Sequence, residues 1–431
     1  MTQALPALLG GTPIRTEPFS PHTTMLGSEE KAAVLAVLDD GELSGFSGRA
    51  GARFLGGTQV RALEAAVCER FGVRHAISMN SATSALHAAV AAAGIGPGDE
   101  VITSPYTMTA SPSSVLMANA VPVFADIEAD TFGLDPRSVR ERITPRTRAI
   151  MTVNLFGHPS RLDELRELAD EHRLVLIEDN AQAVGARYRG RWAGGVGEMG
   201  IFSLNYHKII QCGEGGLVVT DDDELAERCQ LIRNHGEMVA PDVGRSQMEN
   251  QLSWNYRLSE LQAAVAVPQV AKLDALLEVR RELAGVLDEL LEVAPFIRRP
   301  RVEPDCSHTY YFYTMTLDTA RAPLSRQTLA AALQAEGFPI AEGYQKPLYL
   351  HAMYQNQLAY TRGCPFTCGH YDGDVSYAPG LCPVTERLYD QELFTTDICK
   401  YPNRPDDVRD FGRALEKIAT HADALERAAS S

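Results

Sequence analysis

Between residues 73 and 220 short apolar runs alternate with longer segments of helical periodicity, and that alternation restricts the fold more than any other feature. The runs 73–79, 101–102, 121–127, 148–155, 174–177, 199–203 and 217–220 are strand-like. Val60, Leu63, Val67 and Phe71 recur at helical spacing before the first run, and 162–172 repeats the pattern between two later ones. Strands joined by helical crossovers form a mostly parallel sheet with right-handed connections and helices on its faces. Such sheets place ligands at the carboxyl ends of their strands. The residues that end each run are therefore the ones to inspect for chemistry.

The expected fold class is α/β, with a large sheet domain followed by a smaller α+β domain. A chain of 431 residues, 45% hydrophobic and 22% charged, is long enough for both. Residues 1–57 are rich in Gly, Pro, Ser and Thr, with one helical pattern at 29–38, and form an N-terminal arm. The large domain is expected over 58–270. A linking helix (264–291) and the small domain fill 271–431, with a strand at 310–315 and helices at 325–337 and 407–427.

Composition narrows the partners. Lys and Arg number 40 against 56 Asp and Glu, and a net charge of -16 argues against nucleic acid or an anionic membrane. No basic stretch precedes an apolar leader, and no run reaches the roughly 18 to 20 apolar residues that span a bilayer, so a cytoplasmic location is expected. The eight cysteines are scattered, without the density of a disulfide scaffold. Cys364, Cys368 and His370 form a cluster whose spacing is not that of a zinc knuckle; the expectation is a loop near the substrate mouth and no metal.

Three run ends carry chemical groups. The run 174–177 leads into Glu178-Asp179, which delivers a carboxylate to the edge of the sheet. Lys208 follows the run 199–203 and precedes the turn Gly213-Glu214-Gly215-Gly216. A lysine there is most often solvated; among small and hydroxyl residues it is a candidate Schiff-base amine, because desolvation frees its lone pair. After the run 73–79, Asn80-Ser81-Ala82-Thr83-Ser84 opens an alanine-rich helix, and Ala82 and Thr83 offer backbone amides to an anion. A plain N-cap would explain Ser81 or Thr83 equally well. Pyridoxal phosphate needs this set: a lysine for its aldehyde, a carboxylate for its ring nitrogen and donors for its phosphate.

Glu178-Asp179-Asn180-Ala181-Gln182, then Phe202-Ser203 with a lysine five positions after the serine, then Gly-Glu-Gly-Gly after four more residues, resembles the DegT/DnrJ/EryC1/StrS family of sugar and cyclitol aminotransferases. The likeness extends over nearly the whole chain. It implies fold type I, pyridoxal 5'-phosphate as cofactor and a homodimer with shared active sites. By the resemblance, Lys208 holds the cofactor, Asp179 its ring nitrogen, Gln182 its ring oxygen, and Ser203 with Ala82 and Thr83 its phosphate. Asn255, in Ser253-Trp254-Asn255-Tyr256-Arg257, corresponds to an asparagine that reaches the phosphate of the neighbouring subunit. The arm would pack across the dimer and near the substrate, and 343–350 would form a substrate-side loop.

Two positions depart from the family pattern. Met108 stands where an aromatic residue usually stacks on the cofactor ring; its sulfur can lie on an aromatic face, and Tyr106 is the other stacking candidate. Thr385 stands where alanine is commoner. The implied reaction moves an amino group from L-glutamate or L-glutamine to a nucleotide-linked keto sugar or a keto cyclitol, in secondary-metabolite or polysaccharide biosynthesis. The block 9–15 looks closer to members acting on cyclitols. Two alternatives share the scaffold: a pyridoxal phosphate dehydratase, although the family's sugar dehydratases carry histidine at the Lys208 position, and a non-catalytic regulatory protein that binds the cofactor.

Overall fold

The computed structural model describes residues 4–246, 248 and 252–429. In chain order the strands are β1 (His75–Met79), β2 (Glu100–Thr103), β3 (Val121–Phe124), β4 (Thr147–Val153), β5 (Val175–Asp179), β6 (Arg187–Tyr188) and β7 (Arg191–Trp192). There follow β8 (Met199–Ser203), β9 (Gly216–Thr220), β10 (Ile297–Arg298), β11 (Cys306–Ser307), β12 (Tyr313–Leu317), β13 (Ile340–Glu342) and β14 (Leu393–Thr396).

The long apolar runs enter one seven-stranded sheet in the order β1-β9-β8-β5-β4-β2-β3. Every pairing from β3 across to β8 is parallel; β9 alone runs against its neighbours β8 and β1. β2, β3, β8 and β9 are buried along their whole length, which is why they read as continuous apolar runs without alternation. On one face the helix Ala82–Ala92 buries every residue from Ser84 onward against Ile77, Met151, Ile177 and Val218. Its alanines let the helix lie close to the sheet. The helices Thr58–Phe71 and Leu162–His172 cover other parts of the sheet.

Helix Glu260–Leu290 joins two cores. Ser259 and Gln262 close its first turn as a capping box. Its Ala263, Leu273 and Leu277 pack with Phe202 and Leu217 of the large sheet, and its Leu283, Ala284 and Leu287 pack with a second core. That core lies under the antiparallel sheet β10-β12-β14-β13 and the helices Arg326–Ala335 and Pro405–Thr420. The fold class is α/β, as expected.

Two local expectations differ from the structure, and one short hairpin carries no signal in the sequence. The helix anticipated over 407–427 is two, Pro405–Thr420 and Ala422–Ala429, broken at His421. The strand anticipated from 310 starts at Tyr313, because Tyr310 has φ 50° and turns its carbonyl out of the sheet. The β6/β7 hairpin has two residues per strand, too few to show alternation, and turns through Arg189 and Gly190, both at positive φ.

Candidate active site

The carboxyl edge of the large sheet gathers the predicted groups. Asp179 ends β5 and Ser203 ends β8, with Asp179 in register with Val153 and Ile201. Asp179 is buried. Its Oδ2 accepts from Ser111 Oγ at 2.7 Å and its Oδ1 from the Ala181 amide at 3.2 Å. Burial raises its pKa, and these two bonds and the Lys208 charge work against the rise.

Lys208 follows β8 in a turn that the N-terminal segment braces: Thr23 Oγ1 donates to its carbonyl at 3.1 Å. Its Nζ lies 3.5 Å from the Tyr311 hydroxyl and 4.5 Å from the centre of that ring. Desolvation lowers the amine from 10.5 to about 8, and the Asp179 charge opposes the fall. A tenth or so of such an amine is neutral and nucleophilic at pH 7.

The anion site is built from a helix start and a glycine. Ser81 Oγ caps the helix Ala82–Ala92 by accepting from the Ser84 amide at 3.0 Å, and the first intrahelical bond runs from Ala85 to Ser81. The Ala82 and Thr83 amides precede it and face outward. Gly216 of β9 lies directly against them: a Cβ there would sit 2.4 Å from the Ala82 nitrogen. Only glycine permits this approach of strand to helix start.

A cavity of about 470 Å³ adjoins Lys208, with Met108, His207, Tyr311, Tyr344 and Arg280 in its walls. Met108 is 52% exposed, whereas Tyr106 is fully buried edge-on to Phe156 and Tyr344. Of the two stacking candidates only the methionine faces the cavity. Gln182 is buried; its Oε1 accepts from the Phe156 amide at 2.9 Å and its Nε2 donates to the Tyr344 hydroxyl at 3.0 Å. Phe156 sits at φ 58°, a backbone strain that aims its amide at Gln182.

Asn255 is exposed beside the helix start: its carbonyl accepts from Asn80 Nδ2 at 3.3 Å, and its Oδ1 accepts from Arg257 Nε at 2.8 Å. Thr385 has a structural reason: its hydroxyl and amide, with the Val384 amide, all donate to Asp126 and tie the helix Pro383–Arg387 to the loop after β3. The Cys364–His370 loop does not approach the site. Tyr371 beside it donates to Glu100, the first residue of β2, which places the loop at the opposite edge of the sheet. Among the described residues no group of three His, Cys, Asp or Glu could hold a metal ion.

Tyr344, in the wall of this cavity, belongs to the segment 343–350 expected as a substrate-side loop; Tyr311 and Arg280 carry no signal of their own in the sequence. Tyr311 falls in the stretch expected as a strand, and Arg280 in the expected linking helix 264–291.

A desolvated lysine, a buried carboxylate beside it and an open helix terminus on one sheet edge define a pyridoxal phosphate enzyme of fold type I. The DegT/DnrJ/EryC1/StrS aminotransferase family matches residues 47–393, and the chain belongs to that family. It is similar to the L-glutamine:2-deoxy-scyllo-inosose aminotransferase of Streptomyces paromomycinus, 38% identical over 99% of this chain and 100% of that protein. It is 32% identical to the spore coat polysaccharide biosynthesis protein SpsC of Bacillus subtilis (strain 168), over 79% of this chain and 87% of that one. Among solved structures, DesI in the presence of its TDP-sugar product superposes with a TM-score of 0.79 at 27% identity, covering 99% of both chains.

The chain is an aminotransferase, and its cofactor is pyridoxal 5'-phosphate. The residues present fit that group. Asp179 is a buried carboxylate whose charge a protonated ring nitrogen would offset, and the Ala82 and Thr83 amides at the helix start beside Gly216 suit a phosphate.

Proposed function

We propose that the protein transfers the amino group of L-glutamine or L-glutamate to a keto cyclitol or a nucleotide-linked keto sugar. The observation that carries this reading is the Lys208 amine, lowered to about 8 and set beside Asp179 at the edge of an open cavity. When bound, pyridoxal phosphate supplies the electron sink that lets a proton leave the donor's α-carbon. Lys208 takes that proton and returns it, as general base and then acid. Asp179 keeps the ring nitrogen protonated, and Ser111 fixes the carboxylate that does so. Ala82, Thr83 and Ser203 would hold the phosphate, Met108 would cover the ring, and Gln182 would serve the ring oxygen.

The end-to-end likeness to a glutamine:inosose aminotransferase favours a cyclitol acceptor and glutamine as donor; DesI, studied with a TDP-sugar, keeps the nucleotide-linked class open. We further assign residues 1–57 to the arm, 58–270 to the large domain and 271–431 to the linking helix and small domain. Two copies would share their sites through Asn255. No described helix is long and apolar enough to cross a membrane, and the eight free cysteines suit a reducing cytoplasm.

The test is an absorption spectrum of the cofactor-loaded protein before and after L-glutamine. A band near about 420 nm that moves to about 330 nm, and is altered in Lys208→Ala, is the expected result. A band that no amino donor moves would overturn the transaminase reading and favour a dehydratase. Adding 2-deoxy-scyllo-inosose or a TDP-keto sugar to the donor-treated protein then identifies the acceptor by which of them restores the first band.

A further inference from the structure

The far wall of the cavity carries more positive than negative charge. Arg280 and Lys400 both line it and are only 2% and 5% exposed. Asp397 is the one carboxylate among the lining residues, and it pairs with Lys400. Arg280 Nη1 donates to the Tyr310 carbonyl at 2.7 Å and to that of Tyr311 at 3.4 Å, and the described ion pairs include none to Arg280. Both bonds come from Nη1, and the residue lines the cavity. His207 adds no charge at neutral pH, because burial holds it at about 4, and burial raises the Tyr311 and Tyr344 phenols, which stay neutral. A guanidinium taken out of water without a counter-ion is costly; Asp397 is paired with Lys400, so the Arg280 charge is left for a ligand.

We propose that Arg280, with Lys400 beside it, is the anchor for the carboxylate of the amino donor. This rests on the transaminase reading of the cavity and adds to it the group that selects an amino acid as donor. A planar fork suits a carboxylate, which it can hold by two parallel bonds. Tyr311 connects the anchor to the chemistry: its carbonyl lies 3.4 Å from Arg280 Nη1, and its hydroxyl 3.5 Å from Lys208 Nζ. An amino acid whose amine is directed to Lys208 thus meets Arg280 across one tyrosine.

The test compares L-glutamine with 4-aminobutanamide, which is glutamine without its carboxylate, in the cofactor-loaded protein and in Arg280→Gln. In the unaltered protein the spectral half-reaction should be at least about 100-fold slower in kcat/KM with 4-aminobutanamide. Arg280→Gln should bring glutamine down to about that level and leave 4-aminobutanamide unchanged. Calorimetry on cofactor-free protein gives a readout apart from turnover: binding of 4-carbamoylbutanoate, glutamine without its amine, should weaken at least about tenfold in the variant. An equal loss for both donors would assign Arg280 to the Tyr310 turn alone and overturn the proposal. Should the variant fail to fold, comparable rates for the two donors in the unaltered protein would overturn it equally. Weakened binding of thymidine diphosphate with unchanged 4-carbamoylbutanoate would replace the carboxylate by a phosphate and also overturn it. Failure of glutamine to move the band at all would instead sink the transaminase reading.

Discussion

Lys208 illustrates how burial converts a common residue into a reactive one. Its amine is lowered from 10.5 to about 8 chiefly by desolvation, and Asp179 alone holds it from falling further. Between about pH 8 and 10.5 the unfolded chain retains a proton here that the folded chain has released, so this group's contribution to stability rises with pH across that window. Below about 8 both states are protonated and the burial penalty is felt in full. Reactivity follows the same titration. In cofactor-free protein, arylation of Lys208 by trinitrobenzenesulfonate should accelerate about tenfold per pH unit up to about 8 and then level off, followed by peptide mass spectrometry. A midpoint near 10.5 would show a solvated lysine. Asp179→Asn should shift the midpoint downward, because it removes the one charge that supports the ammonium.

At the scale of elements, the site depends on how closely a strand and a helix approach. Gly216 of β9 lies under the first turn of the helix Ala82–Ala92, and a methyl group there would meet backbone atoms of Ser81 and Ala82, which cannot swing aside. Gly216→Ala should therefore displace the helix start, at a cost of about 1–3 kcal/mol in stability. Cofactor affinity should fall at least about tenfold, measured by equilibrium titration against the thermal melt. Unchanged affinity with a lowered melting temperature would remove the phosphate from this cradle.

Such close approaches were partly legible beforehand. The helices Thr58–Phe71 and Leu162–His172 fall where their apolar spacing put them, since each ends in a left-handed residue, Gly72 or Arg173. Asp179 and Lys208 followed from strand ends, which the parallel sheet turns into one edge, and Ser203 from the family likeness. Arg280 did not, because spacing within a helix says which face a residue occupies but not that the face is a cavity wall. The position of the Cys364–His370 loop was also beyond reach: it is set by Tyr371 bonding to Glu100, a contact across most of the chain.

For the whole molecule, the question is how many chains complete one site. Asn255 is exposed, and Met238, Leu252 and Trp254 around it are 71%, 78% and 44% exposed, an apolar surface of the kind that packs against another copy. If Asn255 serves the phosphate of a partner, two defective chains can repair each other. Lys208→Ala removes the reacting amine, and Asn255→Asp sets a carboxylate against the phosphate; each alone should be inactive at limiting cofactor. In a mixed dimer one site would receive both altered residues and the other neither. Random pairing makes half of the dimers mixed, so the co-refolded mixture should recover about a quarter of the unaltered activity. If Asn255 acted within its own chain, every site holding Lys208 would also hold the altered Asn255, and mixing would restore nothing. The same mixture also separates assembly from catalysis, because sedimentation reports pairing whichever result the assay gives.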